Sequence, residues 1–173
     1  MGADAVTIVA EPSGLVLPPA APVILDLVEC VCDRLTAEGA GRPCWCGLLP
    51  GLEVSWDYCA ECDNGTCGMG WVRLASVFPY NVFPIQSLEV GCALPLAWAV
   101  EVGALRCMPT SDGMLPDPSI TAEAAAAQYA DAYALYRALM CCNAPLVAAG
   151  IYTPTGPQGG CVGGFWTAWL SAD

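Results

Sequence analysis

Apolar residues return along this chain in two rhythms, one of a helix and one of a strand. Ile24, Leu27, Val28, Val31 and Leu35 stand at i, i+3, i+4, i+7 and i+11, while Asp26, Glu29 and Asp33 share another face. That spacing predicts an amphipathic helix with an acidic outer stripe. Pro22 suits its first turn, and Gly39 and Gly41 stop it. Past residue 42 the period shortens. Residues 52–58 read as a strand, and Asn64-Gly65 as a hairpin turn. Residues 71–78 read as a second strand, with Trp71, Arg73, Ala75 and Val77 on one side and Val72, Leu74, Ser76 and Phe78 on the other. Residues 94–108 predict a long third strand covered on both faces.

A proline-rich acidic loop fills residues 108–119. A long helix follows, with Thr121 as its expected N-cap and Glu123 in its first turn. Tyr129, Tyr133, Tyr136 and Met140 lie at i, i+4, i+7 and i+11, which predicts a core-facing stripe. The helix stops near Asn143, a glycine-rich loop follows, and residues 165–170 close the chain as a strand. The order predicts a two-layer α+β domain: a mixed or antiparallel sheet packed against an N-terminal helix and a long helix of the C-terminal half. We expect one such domain over residues 18–173, preceded by an extended arm at residues 1–17.

Composition sharpens this. A chain of 173 residues buries about 70% of its unfolded surface as one domain. Hydrophobic residues make up 56% of it, yet no uninterrupted apolar run reaches the roughly 18 residues of a membrane span. Residues 92–105 are broken by Pro95 and Glu101, and residues 138–152 by Asn143 and Pro145. No basic region precedes an apolar segment at the N-terminus, so no secretory signal is expected. The excess apolar surface is expected to be covered by copies of the chain or by other subunits.

The chain has no histidine, and its five basic residues are all arginines. Ser-His-Asp and Cys-His arrangements, histidine-bearing zinc sites and Schiff-base lysines are therefore excluded. No cofactor and no catalysis are expected. With a net charge of −12 and scattered arginines, tight nucleic-acid binding is not expected either. The acidity can be read as a wall that DNA slides past without sticking or as ordinary solubility, and from charge alone the solubility reading wins.

Twelve cysteines remain. Cys30-x-Cys32, Cys44-x-Cys46, Cys59-x-x-Cys62-x4-Cys67 and the adjacent Cys141-Cys142 are the local spacings, and Cys92, Cys107 and Cys161 stand apart. One reading is a structural zinc site drawn from Cys44, Cys46, Cys59, Cys62 and Cys67, although Cys44-x-Cys46 is tight for a zinc knuckle. A second is disulfides among these same five, where closing a loop of about 15 residues adds about 3 kcal/mol. A third is burial as small apolar groups, expected for Cys30 and for Cys141 or Cys142 on helices. We expect a mixture: buried helix thiols and one or more disulfides near the hairpin. The acids Asp57, Glu61 and Asp63 read as a solvated turn, since the spacing lacks the ligand positions of a calcium loop. The glycine-rich run at residues 159–164 precedes a strand, not a helix, and so lacks a phosphate-binding terminus. Its glycines are expected to allow tight turns or close backbone approach between subunits.

Several stretches resemble the neck proteins of long-tailed phages of actinobacteria. These are the run Tyr152-Thr-Pro-Thr-Gly-Pro-Gln-Gly-Gly-Cys-Val-Gly-Gly-Phe-Trp-Thr, Trp71-Val-Arg-Leu with Phe78-Pro79 after it, Val102-Gly-Ala-Leu-Arg-Cys-Met-Pro, and the paired Cys141-Cys142. The resemblance spans most of residues 22–170 as loose motifs, and the element order is most like the tail-terminator and tail-completion type. It implies a structural virion protein, assembled in the host cytoplasm, that forms a ring, expected to be a hexamer, at the head–tail junction. Its implied partners are further copies of itself, the tail tube protein and a head-side connector or stopper. Phage DNA would pass through non-specifically. Asp57, Glu61, Asp63, Asp112 and Asp117 are the candidates for an acidic channel lining. The alternative is a small cysteine-rich zinc-binding adaptor or regulatory module.

Overall fold

The computed structural model describes residues 21–51, 54, 67–82, 85–87, 94–108, 117–142, 144–158 and 160–171. Helix α1 spans Ala21–Ala37 and helix α2 Pro118–Cys141. The strands are β1 (Trp45–Leu49), β2 (Met69–Val82), β3 (Ile85–Gln86), β4 (Leu96–Cys107), β5 (Leu146–Gln158) and β6 (Cys161–Ser171). The sheet order is β1-β2-β4-β6-β5, with β3 paired to the far end of β2. β1 runs parallel to β2 and the other pairings are antiparallel, so the sheet is mixed. The fold is thus α+β, as the sequence order predicts. β4, α2 and β5 form a crossover between parallel strands, with β6 inserted between them.

Both helices pack on one face of the sheet. From α1, the predicted stripe Ile24, Leu27, Val28, Val31 and Leu35 is buried, while Asp26, Glu29 and Asp33 face water. These residues meet Val72, Val100, Val102, Ala104, Ala168 and Leu170 of the strands. The opposite face carries a smaller cluster of Met69, Trp71, Leu105 and Cys161, packed against Leu49, Val54 and Phe165. One row crosses it: Trp71 pairs in register with Gly103, and Gly103 with Phe165. The Trp71 indole lies on the bare backbone of Gly103, where an added Cβ would stand 2.1 Å from its ring. Gly103→Val should therefore lower stability by about 1–3 kcal/mol through overpacking, read as an earlier urea midpoint.

The structure corrects several sequence expectations. The N-cap of α2 is Asp117, not Thr121: its side chain accepts from the Ser119 backbone N–H, and Pro118 occupies the first turn. β5 was not expected, because Gly150, Pro154, Gly156 and Pro157 read as loop. As an outermost strand it tolerates proline, whose missing N–H would break a ladder inside a sheet. Likewise residues 161–164 begin β6 and are not loop. β1 was also missed. The predicted arm at residues 1–17, the strand at residues 52–58 and the turn at Asn64-Gly65 lie outside the described residues, save Val54.

The largest correction concerns α2. Its buried positions are Asp131, Ala134, Leu135, Ala138 and Leu139. Tyr129, Tyr133, Tyr136 and Met140, expected in the core, point away from it and are exposed. The helix is apolar around most of its circumference, so periodicity alone did not distinguish the two faces. Ala134 and Ala138, being small, bring α2 close to the rest of the helical layer.

Candidate functional site

Side-chain chemistry inside the fold is spent on holding it together. Asp131 of α2 is 3% exposed and Arg106 of β4 is 9% exposed. Arg106 Nε donates to Asp131 Oδ2 at 2.7 Å, and its Nη2 donates to Asp131 Oδ1 at 2.9 Å and to the Gly41 carbonyl at 2.7 Å. The Ala40 N–H donates to Asp131 Oδ1 at 2.8 Å. The carboxylate and guanidinium thus fasten the turn after α1 to α2 and to the sheet. Gly39 is required there, since an added Cβ would fall 2.6 Å from Asp131 Oδ1.

The other arginines with carboxylate partners are also structural. Arg73 bridges to Glu101, its partner in register across β2 and β4, at 2.6 Å. Arg34 pairs with Glu38 one turn on, and Arg137 reaches the same Glu38 at 3.6 Å. Four of the five arginines are therefore locally compensated, which leaves little cationic surface for a polyanion.

Tyr152 of β5 sits under α2 against Trp166, with ring centroids 5.8 Å apart. Burial, opposed by a hydrogen bond from Gln128 and helped by the Asp131 charge, pushes its phenol up to about 12. The neutral form is favoured in the fold, so its contribution is complete below pH 10 and is lost as pH rises through 12. An alkaline ultraviolet titration should show one tyrosine ionising near pH 12, and Tyr152→Phe should remove that step. At the N-terminus of α2, Asp117 Oδ1 accepts from the Ser119 hydroxyl at 2.6 Å and from its N–H at 2.8 Å. The side-chain bond first, then the backbone bond, lowers the Asp117 pKa. Asp57, Glu61, Asp63 and Asp112, the other channel-lining candidates, lie outside the described residues.

Cysteines staple the layers across long stretches of chain. Cys30 of α1 is bonded to Cys142 at the cap of α2, with Cα atoms 6.4 Å apart. Cys32 of α1 is bonded to Cys46 of β1 at 5.8 Å, and Cys67 to Cys107 of β4 at 5.6 Å. Cys44 and Cys161 are disulfide-bonded as well. The helix cysteines Cys30 and Cys142, expected as buried thiols, are cross-links, while Cys141 is a free, exposed thiol. Of the five zinc candidates, Cys44, Cys46 and Cys67 are thus bonded sulfurs and not thiolates, and a zinc ligand must be a thiolate. Cys59 and Cys62 lie outside the described residues. Among the described residues no group of three or more His, Cys, Asp or Glu side chains stands together as a metal cage.

What remains is surface. On α2 the outward positions Ala122, Ala126, Tyr129, Tyr133, Tyr136 and Met140 are all exposed and uncharged. Tyr136 packs tilted against Trp166 with ring centroids 5.6 Å apart, and Trp166 packs tilted against Tyr152, so aromatic rings run from this face to β5. Neither β1 nor β5, the outermost strands of the described sheet, contains a charged residue. Among the described residues no helix is long and apolar enough to cross a membrane. No family model, curated protein or solved structure matches the chain.

Proposed function

We propose that this chain is a structural ring subunit of the neck of a long-tailed actinobacteriophage, one that terminates the tail tube and joins it to the head connector. It works by shape and contact and carries out no reaction. The observation that carries this reading is the outward face of α2. A helix face without charge is usually one that another element covers, and here the face of Ala122, Ala126, Tyr129, Tyr133, Tyr136 and Met140 is open, with the exposed Glu123 at its flank. The neck location in this reading rests on the resemblance of the motifs at residues 71–79, 102–109 and 152–167. The α+β order is that expected of a tail terminator or tail-completion protein, as opposed to a helical adaptor or a β-barrel stopper.

Other features support the same reading. Arg34, Arg73, Arg106 and Arg137 are tied to carboxylates, which fits an acidic exterior suited to letting DNA pass. Asp117, exposed at the start of α2, is the described member of the proposed channel lining. The disulfides suit a particle that meets an oxidising medium after release. The partners in this reading are further copies of the chain in a hexameric ring, the tail tube protein and a head-side connector or stopper. The test is an image reconstruction of virions that carry the protein. A ring of this fold between capsid and tail is expected; density there that the fold cannot fit, or absence of the chain from purified particles, overturns the proposal.

A further inference from the structure

We propose that the covalent tie between the two helices has two positions, with Cys141 and Cys142 exchanging as the partner of Cys30. The inference goes beyond the neck reading and holds whatever surrounds the chain.

Three sulfurs meet at the end of α2 and share one bond. Cys30 of α1 is bonded to Cys142, and the residue before it, Cys141, is a free and exposed thiol. The other described cysteines, Cys32, Cys44, Cys46, Cys67, Cys107 and Cys161, are all disulfide-bonded. Among the described residues Cys141 is therefore the one sulfur able to attack, and it stands next in the chain to a disulfide. A thiolate beside a disulfide is what exchange requires.

The backbone keeps Cys141 close to Cys30. The Cα atoms of Cys30 and Cys142 are 6.4 Å apart, and neighbouring Cα atoms in a chain are about 3.8 Å apart. A disulfide spans up to about 6.8 Å between Cα atoms, so a displacement of at most about 3.5 Å puts Cys141 within bonding range of Cys30. Direction is what keeps them apart: Cys142 faces α1, and Cys141 faces water. Turning the end of α2 brings Cys141 round. Little opposes that turn, because the last carbonyls of a helix have no partner within it. The Cys142 N–H donates to the Ala138 carbonyl at 3.2 Å. Losing that one bond favours the Cys142 form by about five- to tenfold.

The step balances without an oxidant or a reductant. The Cys141 thiolate attacks Cys30 Sγ, the Cys30–Cys142 bond breaks, and its electron pair leaves on Cys142 Sγ. That sulfur takes up the proton that Cys141 gave away. One disulfide and one thiol stand on each side of the reaction. The moving turn also carries Met140, which is exposed and directly precedes Cys141. Exchange therefore moves Met140, and a contact that fixes Met140 selects one of the two forms.

Mapping the linkage in the intact chain tests this. Non-reduced protein is held at about pH 8, quenched in acid, where exchange stops for want of thiolate, and cut with pepsin. Fragmentation between residues 141 and 142 then shows which one carries Cys30. Both linkages are expected, with Cys142 ahead by about five- to tenfold. The two forms, separated in acid, should each regenerate the mixture when returned to about pH 8. Cys142→Ser should carry the bond on Cys141 and melt above the double variant Cys141→Ser with Cys142→Ser, which leaves Cys30 no partner at the end of α2. A wild type with the Cys142 linkage alone overturns the inference. So does a separated form that stays as it is, or a folded Cys142→Ser chain with Cys30 and Cys141 both free. Cys30 bonded to cysteines other than these two would mean general scrambling and would overturn it as well.

Discussion

Asp131→Ala should cost about 3–5 kcal/mol of stability, because it leaves the buried Arg106 guanidinium without its counter-charge. At 2–4 °C per kcal/mol for a chain of this size, the melting temperature should fall by about 10 °C. The loss is not confined to one ion pair. Asp131 Oδ1 also accepts from the Ala40 N–H, and Arg106 also donates to the Gly41 carbonyl, so the turn behind α1 loses its anchor as well. The control is the double replacement Arg106→Met with Asp131→Leu. It removes both charges and fills the space with apolar atoms, and it should recover much of the loss, since desolvating two charges offsets much of their attraction. If the single variant melts within a degree or two of the parent, the pair is not the clamp described here. If the double variant is no better than the single, the backbone bonds at Ala40 and Gly41 matter more than the charges.

The same pair shows where sequence reading stops. Arg106 and Asp131 stand 25 positions apart with no local pattern joining them. Helix α1 was legible because it has one apolar stripe and one acidic stripe, so only one rotation buries the right atoms. Helix α2 has apolar residues on both sides. The larger aromatic stripe drew the prediction inward, yet Ala134, Leu135, Ala138 and Leu139 are what fits against the sheet and α1. That error is itself informative, because the misplaced Tyr129, Tyr133, Tyr136 and Met140 make up the exposed apolar face on which the proposed function rests. The central strands β2 and β4 were legible from period and β-branched content. The edges were not: β1 is short, and β5 is punctuated by glycine and proline that only an outermost strand tolerates. The cysteine pairing was beyond reach for another reason, since connectivity depends on which elements become neighbours and not on spacing.

Removing the Cys30–Cys142 bond should destabilise the chain more than removing Cys32–Cys46. The two bonds close loops of 112 and 14 residues, and restriction of the unfolded chain favours the native state by about 5 and about 3 kcal/mol respectively. The comparison is between Cys30→Ser with Cys142→Ser and Cys32→Ser with Cys46→Ser, by denaturant midpoint under non-reducing conditions. Both members of the first pair must be replaced, because Cys141 is a free thiol next to Cys142, and a lone Cys30 would have a substitute partner beside it. The geometry argues in the same direction as the entropy. Cys30–Cys142 ties α1 to the end of α2, while the Asp131 clamp ties the turn after α1 to the middle of α2, so the helices run antiparallel and are held at two places. Cys32–Cys46 ties α1 to β1, an edge strand that is close to it in sequence and already bonded to β2. Equal losses, or a larger loss from the short loop, would mean that the bonds act through native packing and not through the unfolded chain. In that case the helical layer would owe its position to Leu35, Leu135 and Leu139 rather than to its covalent ties.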